Sequence, residues 1–146
     1  MQINPTEVLK EKIVYNLFNE EKQVQQNGID LTTDADIKIE SGKYVNVVFN
    51  EKFDMKNSFG LIRIRSSLAR KGLILQSGIF DSGFNGMGGC MLHNLSDVDV
   101  VFSKGFRVCQ IIVFKGNPHS LYDGVYNTKK DTKSQYTGGV LDDKQI

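Results

Sequence analysis

Cysteine is scarce in this sequence: its 146 residues include only Cys90 and Cys109. Two cysteines exclude a disulfide framework, and no C-x-x-C pair is present. Histidine is equally rare, with His93 and His119 alone, which excludes most zinc clusters. Charge of one sign is also missing. Eighteen Lys and Arg against seventeen Asp and Glu leave a formal net charge of +1. That balance argues against a nucleic-acid or membrane-surface binder, whose affinity comes from clustered Lys and Arg. No apolar run approaches the roughly 20 residues of a membrane helix. The opening stretch MQINPTEVLKEKIV lacks the cationic and then apolar pattern of a secretion signal. These absences lead to the expectation of a small, soluble, cytoplasmic protein. At roughly 100–200 residues per domain, residues 1–146 read as one domain.

Fourteen glycines against two prolines indicate many turns and close backbone approaches. The N-terminus carries the one clear helix signal. Asn4 is placed to cap, Pro5 takes the first helical position, and Val8, Ile13 and Leu17 fall near one face. Gln23–Gly28 is a polar break. The period then changes to two. Asp36–Glu40, Tyr44–Asn50 and Gly60–Ser66 alternate, and Leu73–Leu75, Cys90–Leu92, Val98–Phe102 and Val108–Phe114 follow between turn residues. Short strands at this spacing, with no second helical pattern, predict an all-β sandwich or barrel. The polar segment 127–146 reads as a flexible C-terminal arm.

Three polar clusters interrupt the strands: Asn27–Leu31, Arg65–Gly72 (RSSLARKG) and Gly78–Gly86 (GIFDSGFNG). The second places three cations and two hydroxyls directly after a strand. Forked guanidinium bonds and short hydroxyl donors suit an oligophosphate, and the same residues also fit a solvated basic turn. The third holds one carboxylate, Asp81, between Ile79-Phe80 and a glycine-rich turn. It fits a catalytic base and also an ordinary hairpin aspartate. A GxxxxGK[ST] phosphate loop and a GxSxG elbow are both missing. Cys109 lies mid-strand and reads as a small apolar residue, and His119 reads as a solvated loop residue.

In order and spacing, these clusters resemble the motifs of the trimeric dUTPase and dCTP deaminase superfamily. Gly28–Leu31 (GIDL) is similar to its first motif, Arg65–Gly72 to its second, and Gly78–Gly86 to its third. Gly105–Phe114 (GFRVCQIIVF) is similar to its fourth, with Gly105, Arg107 and Gln110 in place. The resemblance implies an all-β fold: a distorted jelly-roll β-barrel with one short N-terminal helix, assembled as a homotrimer. It implies active sites shared between subunits.

The resemblance is mixed between the two branches. The leader KQVQQNGIDL and Gly83-Phe84 look like dCTP deaminase. That branch needs a glutamate on the strand after the third motif to shuttle protons. Met91 stands there, and a thioether transfers no proton. The dUTPase branch needs only the third-motif aspartate, which is Asp81.

The implied activity is hydrolysis of dUTP to dUMP and pyrophosphate, by water attack at the α-phosphorus. Asp81 is the implied base, and Mg²⁺ is carried on the triphosphate. Arg65, Ser66, Ser67, Arg70 and Gln110 are the implied phosphate-binding residues. Backbone groups of Leu73–Gly78, with Gln76 and Gly78, would read uracil. Phe84 would stack on the deoxyribose and exclude a 2′-hydroxyl. Tyr136, in the tail SQYTGGVLDDKQI, would belong to a lid. Asp30 is an implied outer-sphere contact to the hydrated metal, or alternatively fixes a turn. The competing expectations are a dCTP deaminase, a bifunctional enzyme, and a non-catalytic nucleotide-binding regulator. Neither nucleic acid nor membrane is an expected partner.

Overall fold

Asn4 starts the chain's first element as its sequence dictates. Its side chain accepts a hydrogen bond from the Thr6 N–H at 2.9 Å, and Pro5 follows at the first helical position. The computed structural model describes residues 1–124, 126 and 127. The first helix, α1 (Pro5–Lys10), is shorter than the periodicity suggests. Lys12 turns to a φ of 55°, a left-handed conformation that a helix cannot continue through. Ile13 and Val14 are therefore buried in extended backbone, and β1 (Val14–Tyr15) pairs with Phe53 and Lys52.

Two further short helices, α2 (Glu20–Gln23) and α3 (Ser66–Ala69), escaped the sequence reading, because one turn is too short to show a 3.6-residue period. The first strand of the dUTPase-like motif region, β2 (Ile29–Thr32), was also missed. All four of its residues are buried, and its Ile-Asp-Leu-Thr alternation is too short to stand out from the polar cluster around it. The remaining strands follow the expected segments: β3 (Ile37–Ile39), β4 (Tyr44–Asp54), β5 (Ser58–Ile64), β6 (Leu73–Gln76), β7 (Asn85–Asn94), β8 (Val100–Phe102) and β9 (Arg107–Lys115). Strand β7 begins well before the expected Cys90, since its glycines hide the alternation.

The chain is mainly β. Its strands form a four-stranded sheet β1-β4-β7-β6, a three-stranded sheet β2-β9-β5 and a pair β3-β8. Paired strands are antiparallel throughout. The sheets curl around one core. Val47, Phe49, Phe53, Cys90 and Leu92 come from the first sheet, and Leu31, Ile62, Cys109, Ile111 and Val113 from the second. Each fully buried side chain of this size stabilises the fold by about 1.5–3 kcal/mol. Both cysteines are free and buried, and burial pushes the Cys109 thiol well above its ordinary value. It behaves as the apolar residue the sequence suggested. No helix among the described residues is long and apolar enough to cross a membrane.

Candidate active site

Asp30 lies on β2 opposite Gln110 of β9, and Gln110 in turn faces Arg63 of β5. The pairing register thus gathers the first, second and fourth motifs at one end of a single sheet. Asp30 is only 3% exposed, yet its carboxylate is fully engaged. Oδ2 accepts from Arg107 Nη1 at 3.0 Å and lies 3.8 Å from Arg65 Nε. Oδ1 accepts from Gln110 Nε2 at 3.2 Å. Arg65 Nη1 also donates to the Arg107 carbonyl at 2.9 Å, which ties the two guanidinium groups together. A buried carboxylate of this kind holds cations by charge and forked geometry. Gly28 is required beside it, because a Cβ there would lie 2.4 Å from the Ile111 carbonyl and 2.8 Å from Gln110 Cγ.

Beneath Asp30 lies a second buried carboxylate that the sequence reading passed over. Glu51 accepts from the Thr32 N–H at 2.9 Å, from Thr32 Oγ1 at 2.6 Å and from Gln23 Nε2 at 2.6 Å. The same Gln23 Nε2 donates to the Asp30 carbonyl at 2.8 Å. Burial raises the Glu51 pKa above the ordinary carboxylate value, and the bonds from Thr32 and Gln23 oppose that rise. A signal was present. Val47, Phe49, Glu51 and Phe53 alternate on the inner face of β4, so the period itself turns this carboxylate inward.

Arg65 precedes α3 at the end of β5 and is half-buried, while Ser66, Ser67 and Arg70 stand exposed on or beside that turn. Two hydroxyls and the Arg70 side chain are thus exposed on the turn that follows the Asp30-bound Arg65. The described residues do not hold three or more His, Cys, Asp or Glu placed together for a metal ion.

Asp81 belongs to a different place. The third motif is stitched to β5 by mutual backbone bonds between Gly60 and Phe80, at 2.9 and 3.0 Å. Phe80 packs on Phe53 with ring centroids 4.7 Å apart. Asp81 then emerges, exposed, at a cavity of about 630 Å³. Gln76, Gly78, Phe84, Met91 and Tyr122 also line it. Among the described residues, Asp81 is the single carboxylate in that lining. Met91 sits between Asn46 and Gln76 in the β4-β7-β6 register. Phe84 is only 8% exposed, held by Phe53, Phe80 and Tyr122. Gly60, which neighbours Phe80, and Arg65 are five residues apart on an extended strand, or about 16 Å. Within one chain the Arg65 cluster and the Asp81 cavity therefore do not meet. Tyr136 lies outside the described residues, as does the arm beyond Asn127.

The comparisons agree with this geometry. The family model described as dUTPase matches residues 16–139. The chain belongs to the dUTPase family. A probable deoxyuridine 5'-triphosphate nucleotidohydrolase of Halobacterium salinarum is 30% identical over 105 residues, covering 70% of this chain and 61% of that protein. A native dUTPase structure from EIAV superposes with a TM-score of 0.62 at 26% identity, covering 75% of this chain and 94% of the other. A 2'-deoxycytidine 5'-triphosphate deaminase from Agrobacterium tumefaciens reaches 0.65 at 13% identity, covering 74% and 45%, and shares the fold. The chain spans less than two thirds of the curated relatives it matches: 61% of the Halobacterium salinarum protein and 9% of a Pol polyprotein of Ovine maedi visna related virus. The dUTPase family is generally metal-dependent.

Family membership gives meaning to the residues that sequence reasoning left out. Arg107, which the fourth motif already named, is a second guanidinium on Asp30, whereas Glu51 and Gln23, which support the strand that carries Asp30, were not singled out. Tyr122, beyond the last motif, closes the cavity beside Phe84.

Proposed function

We propose that this protein is a dUTP diphosphatase, splitting dUTP into dUMP and pyrophosphate in a cytoplasmic setting. The observation that carries this reading is the lining of the Asp81 cavity. Asp81 is present to accept a proton from water, and Met91 occupies the place where ring deamination requires a proton carrier.

The triphosphate meets Arg65, Ser66, Ser67 and Arg70, with Arg65 held in orientation by Asp30. Gln110 spends one of its amide N–H groups on Asp30 and has a second to offer. Magnesium on the triphosphate supplies charge neutralisation and polarises the phosphoryl oxygens when bound. It binds largely through substrate phosphates and its own waters, so the donor set of this chain suits it without a resident carboxylate cage. Asp30 faces Arg107 and Gln110, and any contact it makes to the hydrated ion is through that anchored position. Cations fixed before the reaction stabilise developing charge without reorganisation. Asp81 orients the attacking water and takes its proton. Gln76 and Gly78 present the base-reading edge of the cavity.

The separation of Arg65 from Asp81 within one chain supports a site completed by a second copy, in a closed homotrimer. A single assay tests the function. The protein is incubated with dUTP, dCTP, dTTP or UTP in the presence of Mg²⁺, and products are identified. The expected products are dUMP and pyrophosphate from dUTP. Ammonia release from dCTP at a comparable rate would identify a deaminase, and tight binding without product would identify a regulator.

A further inference from the structure

The sheet β2-β9-β5 turns alternate side chains away from the core, and the two ends of the face they form differ. At one end the rings of Phe59 and Phe114 stack with centroids 5.3 Å apart, beside the Leu61–Ile112 pair. At the other end the register sets Asp30, Gln110 and Arg63 in one row across the three strands. Residues directly opposite in an antiparallel ladder point to the same side, with Cα atoms about 5 Å apart. Arg65 follows two residues after Arg63 in extended backbone, so it faces the same way about 7 Å further along.

The charges at this end do not balance. Asp30 is the single acidic residue on the three strands. Its carboxylate is engaged by Arg107 Nη1 at 3.0 Å and Gln110 Nε2 at 3.2 Å, with Arg65 Nε at 3.8 Å. Arg63 takes no share of it. Its side chain is exposed, and among the described residues it has neither an ion pair nor a side-chain hydrogen bond. Two unused donors thus stand side by side, the Arg63 guanidinium and the second amide N–H of Gln110. An oxyanion placed there would neutralise the excess charge and accept the forked N–H groups of Arg63. Arg63 lies outside all the clusters that the sequence singled out, the second of which begins at Arg65.

We infer that Arg63 is a further phosphate-binding residue, extending the cationic face past Arg65 and gripping the oligophosphate together with Gln110. This rests on the reading of that face as the phosphate site. The contact is made before and during the reaction alike, so it lowers KM and leaves kcat nearly unchanged.

The test uses the full-length protein with Arg63→Gln, Arg63→Lys and Lys43→Gln. Lys43 is exposed in the turn between β3 and β4, so its variant removes one positive charge elsewhere on the surface. Affinities for inorganic pyrophosphate and for the α,β-imido analogue of dUTP are measured by calorimetry with Mg²⁺ present. Steady-state kinetics give kcat and KM for dUTP, and light scattering reports the oligomeric state. Arg63→Gln is expected to weaken both affinities and raise KM by at least about fivefold, with kcat within about threefold of the parent. Arg63→Lys should recover part of the loss, because it restores the charge without the fork. Lys43→Gln should stay within about twofold of the parent throughout.

Unchanged affinities in Arg63→Gln would overturn the inference and leave Arg63 as a solubilising cation on an edge strand. An equal loss in Lys43→Gln would overturn it by reducing the effect to net charge. A changed oligomeric mass in Arg63→Gln would overturn it by making Arg63 a subunit contact. A parent that binds pyrophosphate through Arg63 without splitting dUTP refutes the diphosphatase reading and keeps the role of Arg63. A parent that splits dUTP, with Arg63→Gln its equal, keeps that reading and refutes the role. A parent that neither binds pyrophosphate nor splits dUTP refutes both.

Discussion

Arg107 Nη1 donates to Asp30 Oδ2 at 3.0 Å, joining β9 to β2 through a carboxylate that is 3% exposed. The same Nη1 lies 2.7 Å from the Lys22 carbonyl, so one guanidinium ties α2 to the two strands. Asp30→Asn keeps the shape and places an amide N–H against cationic donors. Stability should fall by about 2–3 kcal/mol, less than the 3–5 of a fully buried pair, because Arg107 and Arg65 remain partly solvated. Turnover should fall by at least about tenfold as Arg65 loses its orientation. Urea unfolding and single-turnover hydrolysis of dUTP check both numbers. Unchanged unfolding would remove Asp30 from the role of anchor.

Asp81→Asn separates basicity from shape. The loss of a general base costs about 10²–10⁴ in rate. Affinity for the α,β-imido analogue of dUTP should hold or tighten, since one negative charge near the phosphates is gone. Arg65→Ala should instead weaken binding and turnover together, because its charge faces phosphate in the ground state and the transition state alike. An Asp81→Asn protein that stays folded and hydrolyses dUTP within a few-fold of its parent would move the base elsewhere.

Arg65 and Asp81 also provide a test of subunit sharing. In a closed trimer with each site built across two chains, Arg65→Ala and Asp81→Asn chains complement one another. Random mixing in equal amounts should restore activity at about a quarter of the sites. The measurement is dUTP hydrolysis after the two inactive proteins are unfolded, mixed and refolded together. A site complete within one chain would recover nothing.

Glu51 predicts a pH dependence with a defined sign. Burial raises its carboxyl pKa above the ordinary value of 4.5. The folded state therefore holds this proton more tightly than the unfolded chain does. The resulting stabilisation is fully present below the unfolded value and is lost as pH rises through the folded one. Glu51→Gln removes the titration. The stability of the parent relative to Glu51→Gln should fall between pH 4.5 and pH 7.5, as read by urea unfolding at both. A difference that stays constant, or grows in favour of the parent, would contradict the burial argument.

How much of this was legible in the sequence depended on the range of the physics involved. Alternation located the segments that became β3, β4 and β5, because a half-buried strand writes its own period. The cap at Asn4 was equally local. The motif order gave the superfamily. Other features needed the tertiary structure. Helix α1 ends at Lys10, and the chain turns at Lys12, because Ile13 and Val14 gain more by joining the core beside β4 than by extending a helix. The inward face of Asp30 depends on β2 pairing with β9, from residues about eighty positions away in the chain. Glu51 followed the strand period, yet its partners Thr32 and Gln23 come from other elements. The sequence assigned Phe84 a stacking role, and Tyr122 packs against it only because Gly83 lets the segment after β9 approach. Local pattern thus determined the elements and the chemical inventory. Long-range pairing, which no window of sequence contains, decided which of those groups face each other.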